Sequence, residues 1–131
     1  MLAKAESLKW EDWYLHAERD FQNAKLLTKY QGTTDTVAFL LQQTAEKYLK
    51  GYLLKHGWTL KKTHDLELLI TLANKHNNEF AEFLDYSRLL SATYVESRYP
   101  LGPPKDYSDK QISDWIDQTK KLISFIKEQK G

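Results

Sequence analysis

The chain has no cysteine, which excludes disulfides, thiolate metal sites and a Cys nucleophile. It has almost no excess of either charge, since 19 basic and 18 acidic side chains leave a formal net charge of +1. The broad electrostatic footprint that drives non-specific nucleic-acid binding is therefore missing, and any nucleic-acid site must be local. No apolar run approaches the ~20 residues of a membrane span, and the N-terminal stretch MLAKAESLKWEDW lacks the apolar core of a signal peptide. The expectation is a cytoplasmic protein with no membrane association.

Chemical motifs are missing as well. Gly102-Pro103-Pro104 has neither the glycine spacing nor the Lys-Ser or Lys-Thr of a phosphate-cradling loop. The four histidines, His16, His56, His64 and His76, show no i,i+4 pairing and no carboxylate spacing of a helical zinc site, so neither a metal nor any other cofactor is expected. No Gly-x-Ser-x-Gly elbow presents a serine nucleophile. Strand candidates longer than a few residues, low-complexity stretches and repeats are absent too.

What the chain does have is helical periodicity and rings. Aromatic residues make up 13% of it, including 4 Trp and 8 Tyr, and large rings fill cores and interfaces alike. A length of 131 residues fits one domain, residues 1–131, with a core that needs no covalent staples.

The stretch Phe39 to Tyr52, FLLQQTAEKYLKGY, reads as the central helix. Leu41, Ala45, Tyr48 and Tyr52 form its apolar stripe, and Gln43, Glu46, Lys47 and Lys50 form a polar ridge. The plainest role for Glu46 and Lys50 is an i,i+4 surface pair. Gly51, unfavourable inside a helix, would permit close packing of a neighbour.

A first helix precedes it from about Trp10 to Tyr30, with the seam Trp10, Trp13, Ala17, Phe21, Ala24 and Leu27. His16 lies beside that seam without a sequence partner. Gln31-Gly32 breaks the helix, and Thr33, Thr34 or Asp35 can cap the second, which runs to His56-Gly57. The short turn implies antiparallel neighbours.

Thr63-His64-Asp65 is a cap for a short third helix carrying Leu66, Leu68, Leu69, Leu72 and Ala73. Beside a capping residue, the simpler role of His64 is a bond to local backbone. After the polar break Asn74 to Asn78, a fourth helix carries Phe80, Phe83, Leu84, Leu90 and Tyr94. Arg98 falls one turn beyond Tyr94 and extends its seam, and Pro100, Pro103 and Pro104 end the helix. Ser108 with Gln111 makes a capping box for a last helix carrying Ile112, Trp115, Ile116, Ile123 and Ile126. The fold class expected is all-α, an up-and-down bundle of four to five helices.

Three motifs carry a resemblance. The run QQTAEKYLKGYL, then Thr63-His64-Asp65-Leu66, then Arg98-Tyr99-Pro100, resembles the signature helix, helix start and ending of the HEPN domain family, in the family's order. The resemblance implies a helical bundle that dimerises. It also implies an accessory or binding role beside a minimal nucleotidyltransferase, with nucleotide or substrate as ligand. The alternative it offers is a metal-independent ribonuclease, as in toxin–antitoxin pairs, which uses Arg followed four to six residues later by His. Here Arg98 is followed by YPLGPPKDY and no His occurs beyond it. The usual proton-transfer member is missing, so the expectation is no catalytic residue, unless His64 supplies an imidazole from elsewhere in the bundle.

The basic and aromatic stretch Lys50 to His64, with Tyr52 and Trp58 interleaved, is a local candidate for phosphate and stacked bases. The candidate ligand or interface residues are Arg98, Tyr99 and Tyr94, whose guanidinium and rings suit phosphate and stacking. Lys47 and Lys50 from the central helix and His64 from the third helix start complete the set.

Overall fold

A computed structural model of the chain describes residues 5–99 and 102–129, the side chains of 95–98 excepted. Among the described residues the regular structure is helical throughout: α1 (Trp10–Lys29), α2 (Thr34–Lys55), α3 (Leu66–Asn74), a 3-10 turn (Asn78–Phe83), α4 (Leu84–Arg98) and α5 (Asp109–Glu128). This is the all-α bundle that the periodicity predicts. No helix among the described residues is long and apolar enough to cross a membrane.

α2 is the axis, because each of the other four α-helices packs against it. Burial follows from that position: 13 of its 22 residues are buried, on more than the one stripe the sequence marks. Gln42, Glu46 and Lys50 are all inside. The expectation of a Glu46–Lys50 surface pair is thus corrected. The pair forms at 3.1 Å, but with side chains only 4% and 3% exposed, because α1 and the approach to α3 cover the ridge that faces solvent on an isolated helix.

The α1 seam is confirmed at Ala17, Phe21 and Ala24, all buried. Its close contact with α2 depends on Gly51: a Cβ there would stand 2.7 Å from the Tyr14 ring and 3.1 Å from the Trp10 carbonyl oxygen. Glycine's cost in a helix is offset by the approach it permits. Ahead of α1, Trp13 Nε1 donates to the Ser7 carbonyl at 2.8 Å and Ser7 Oγ donates to Asp12 at 2.7 Å. These bonds fold residues before the helix back onto its first turns.

Helix ends follow local chemistry. Asp65 caps α3 by accepting from Leu68 N, and Ser108 with Gln111 forms the full capping box of α5. Gly57 terminates α2 at φ 87°, the left-handed region that glycine enters without penalty. At the start of α2, Thr33 occupies the cap position without a side-chain cap bond. Thr34 instead accepts from Tyr107 N at 2.8 Å, tying the loop before α5 to α2. The fourth helix begins later than the apolar pattern predicts: Phe80 and Phe83 lie on the 3-10 turn, where Asn77 caps Glu79 N.

Several polar side chains inside the bundle find partners. Tyr86 meets Thr119 at 2.6 Å, Tyr48 donates to Glu18 at 2.8 Å, and Tyr52 donates to Gln129 at 2.9 Å. Burial pushes the Tyr86, Tyr48 and Tyr14 hydroxyls far above the ordinary phenol range, with Glu18 adding to the effect at Tyr48 and Tyr52 at Tyr14.

Candidate functional site

A groove of about 470 Å³ opens where the first turns of α1, the polar ridge of α2 and the segment before α3 meet. α1 contributes Asp12, Trp13 and His16; α2 contributes Gln43, Glu46, Lys47 and Lys50; the connector contributes Lys62 and His64; Glu6 and Ser7, ahead of α1, also line it.

Glu46 organises it. One carboxylate oxygen lies 3.1 Å from Lys50 Nζ, and the other lies 2.9 Å from His64 Nδ1 and 3.1 Å from Gln42 Nε2. A buried carboxylate in this setting is tolerable because donors satisfy both its oxygens. The contact also fixes His64, whose Nδ1–H donates to Glu46 and whose carbonyl accepts from Gln42 at 3.3 Å. The imidazole is therefore engaged by a carboxylate 18 residues away in sequence and not by local backbone, as the capping context predicts.

His64 is further held by Tyr94, with ring centres 4.4 Å apart and planes 20° from parallel. Phe39 in turn stacks on Tyr94, at 6.1 Å between ring centres. Lys47 pairs with Asp20 of α1 at 2.6 Å. Lys50, besides its pair with Glu46, sits 5.6 Å over the Trp13 ring. Among the described residues Lys62 has no ion pair, so it is the groove's unneutralised ammonium.

The structure thus brings together Lys47, Lys50 and His64 in one groove and joins Tyr94 to it through the His64 stack. Tyr99 is exposed just beyond α4. Arg98 closes α4, and its side chain lies outside the described residues, as does Pro100. The basic stretch Lys50 to His64 does not form one surface: Lys50 is buried, Lys55 is drawn 4.7 Å over Trp10, and His56 faces His76. Sequence reasoning missed Glu46 as the anchor, along with Trp13, His16 and Asp12 as walls. Only the packing of α1 over α2 places those residues here, although the appearance of Glu46 inside the signature run was a usable signal. Among the described residues no group of three or more His, Asp or Glu side chains comes together as a metal-binding cluster.

The fold and this groove define a helical bundle with a polar, aromatic-walled recess over its central helix. The family model for the HEPN domain matches residues 10–129, and the chain belongs to that family. Two crystal structures are similar to it. TT1696 from Thermus thermophilus aligns with a TM-score of 0.80 at 22% identity, over 93% of this chain and 98% of that one. ST0689, an archaeal HEPN homologue, aligns with a TM-score of 0.71 at 27% identity, over 91% and 95%. No curated protein matches the sequence.

Proposed function

We propose that the chain is a noncatalytic HEPN-family binding subunit that holds a nucleotide, or a phosphate-bearing substrate, for a nucleotidyltransferase partner. The observation that carries this reading is the convergence of Lys47, Lys50, Lys62 and His64 with Trp13 on one groove. Ammonium and imidazole donors suit phosphate oxygens, and an indole suits a base. Because Asp20 meets the charge of Lys47 and Glu46 that of Lys50, affinity for the phosphate should be modest and salt-sensitive. Arg98 and Tyr99, which follow Tyr94 on the chain, are proposed as further ligand residues on the strength of the sequence motif alone.

Homodimerisation belongs to the same reading, supported by exposed Leu15, Leu26 and Tyr30 on α1 and at its end. The test is calorimetric titration of the purified chain with ATP at low salt, alongside copurification with a nucleotidyltransferase encoded beside it. Binding that falls with salt and is weakened in Arg98→Ala and Arg98→Lys is expected. No heat with ATP, and no copurification, overturns the proposal.

A second reading is favoured by one contact. Glu46 holds His64 through Nδ1, the ring stacks on Tyr94, and Arg98 follows Tyr94 by one helical turn. A carboxylate-oriented imidazole is the arrangement that moves protons in acid–base catalysis, and it would supply what the sequence after Arg98 lacks in an RNA-cleaving HEPN ribonuclease. A mixed RNA pool left intact by the purified protein, with and without divalent metal, removes this reading.

A further inference from the structure

Away from the groove, His56 and His76 converge from distant parts of the chain. His56 is the C-cap of α2, with its N–H on the Leu53 carbonyl at 3.0 Å. His76 follows α3, with its N–H on the Ala73 carbonyl at 2.9 Å. The two ring centres stand 4.9 Å apart, the planes 33° from parallel. The aromatic core fixes the pair from behind: the Tyr52 ring centre is 4.5 Å from that of His56 and 6.2 Å, edge-on, from that of His76. Tyr52 is in turn locked by Phe80 at 4.9 Å and by its hydroxyl bond to Gln129.

We propose that His56 and His76 form a two-imidazole site for a borderline divalent transition metal ion, of the class of Zn²⁺ or Ni²⁺. With metal–nitrogen bonds of about 2.0–2.1 Å, two imidazoles on adjacent tetrahedral positions put their ring centres roughly 5 Å apart, which is the spacing seen. The site lies at the carbonyl ends of two helices, whose partial negative charge favours a cation. The neighbouring Lys55 ammonium sits 4.7 Å over the Trp10 ring, and its charge still acts on His56. Burial, with His76 and Lys55 nearby, pushes His56 below the ordinary imidazole value, in the sense of the neutral form that ligates. Imidazole selects zinc, nickel and copper over magnesium and calcium. Among the described residues no third His, Asp or Glu joins the pair, so the remaining coordination positions are open to water or to a ligand from outside the chain. The bound ion would clip the end of α2 to the turn after α3.

The experiment is calorimetric titration of untagged protein with ZnCl₂ and with NiCl₂. One ion per chain is expected, with affinity falling by about tenfold or more in His56→Ala and in His76→Ala and unchanged in His16→Ala and His64→Ala. NMR on the wild-type chain gives a readout independent of any substitution: sub-stoichiometric Ni²⁺ should broaden the His56 and His76 ring signals first. Absence of binding, retention of wild-type affinity in the His56→Ala/His76→Ala double variant, or broadening that begins at His16 and His64 overturns the proposal.

Discussion

His64 and Glu46, 18 residues apart in the chain, meet at 2.9 Å with the Glu46 side chain 4% exposed. The same carboxylate serves Lys50, also buried. Removing one partner of a buried ion pair leaves an uncompensated charge, at a cost of about 3–5 kcal/mol, whereas replacing both by apolar groups of similar volume is often neutral. Glu46→Ala should therefore destabilise by about that amount in urea titrations. Glu46→Leu combined with Lys50→Met should recover most of the loss. Equal destabilisation of the single and double variants would show that the Lys50 charge does not depend on Glu46.

Gly51 tests the contact between α1 and α2. Glycine to alanine in a helix interior ordinarily stabilises by about 1 kcal/mol. Here the new methyl group would press on the Tyr14 ring and on the Trp10 backbone, and overpacking of a rigid core costs typically about 1–3 kcal/mol. Backbone cannot rotate away as a side-chain tip can, so Gly51→Ala should be net destabilising. Gly102, where an added Cβ meets nothing within 4 Å, is the matched control and should show no loss. A stabilised Gly51→Ala protein would contradict the packing described.

Most of the fold was legible because helical periodicity, caps and breakers act over a few residues. The α1 seam, the Asp65 cap, the Ser108–Gln111 box and the Gly57 stop are all local signals. Three things were not legible. The burial of Glu46 and Lys50 depends on a cover supplied by other elements. The shift of Phe80 and Phe83 into a 3-10 turn reflects the Asn77 cap and packing against Phe125, which periodicity does not register. For the site, residue type pointed to Lys47, Lys50, His64 and Tyr94, but Trp13 and His16 lie on a different helix, and only tertiary packing places them opposite those residues.

Two pH limits follow from groups that join helices. Burial pushes the Glu18 carboxyl up, but hydrogen bonds from Gln22 and Tyr48 together with the charges of Lys127 and Lys25 outweigh it and hold it below its ordinary value. The unfolded chain thus binds the proton more readily, so this contribution to stability is present above about pH 4.3, the free Glu value, and is lost as pH falls through the lower folded value. Tyr48→Phe should flatten that acid limb in thermal melts across pH. An unchanged limb would mean that the Tyr48 bond does not lower Glu18.

The alkaline limit has the opposite sign. Tyr86, Tyr48, Tyr14 and Tyr52 hold their protons in the fold beyond the free phenol value, chiefly through burial. Their contribution is complete below about pH 10 and is lost as pH rises toward the folded values. Tyrosinate absorbance from these four rings should therefore appear only together with loss of helical circular dichroism. Their titration with the helix signal intact would show that the buried hydroxyls are accessible.

Lys47 is the cleanest probe of the proposed ligand site, for a reason that lies in its exposure. Its partner bond to Asp20 is short, at 2.6 Å, but the two side chains are 26% and 18% exposed, so the pair is not sealed as Glu46–Lys50 is. Pairs in contact with solvent typically contribute about 0.2–1 kcal/mol, and Lys47→Ala should shift the urea midpoint little. Lys50→Ala, by contrast, mixes the loss of a ligand-facing ammonium with the loss of Glu46's buried partner, and any binding defect there is confounded by stability. If the groove holds phosphate, Lys47→Ala and Lys62→Ala should each weaken ATP binding in calorimetry and reduce its salt dependence while melting near the wild-type temperature. Lys47→Arg should retain more binding than Lys47→Ala, because charge and donors survive. Wild-type ATP affinity in the Lys47→Ala/Lys62→Ala double variant would place the phosphate site elsewhere on the bundle.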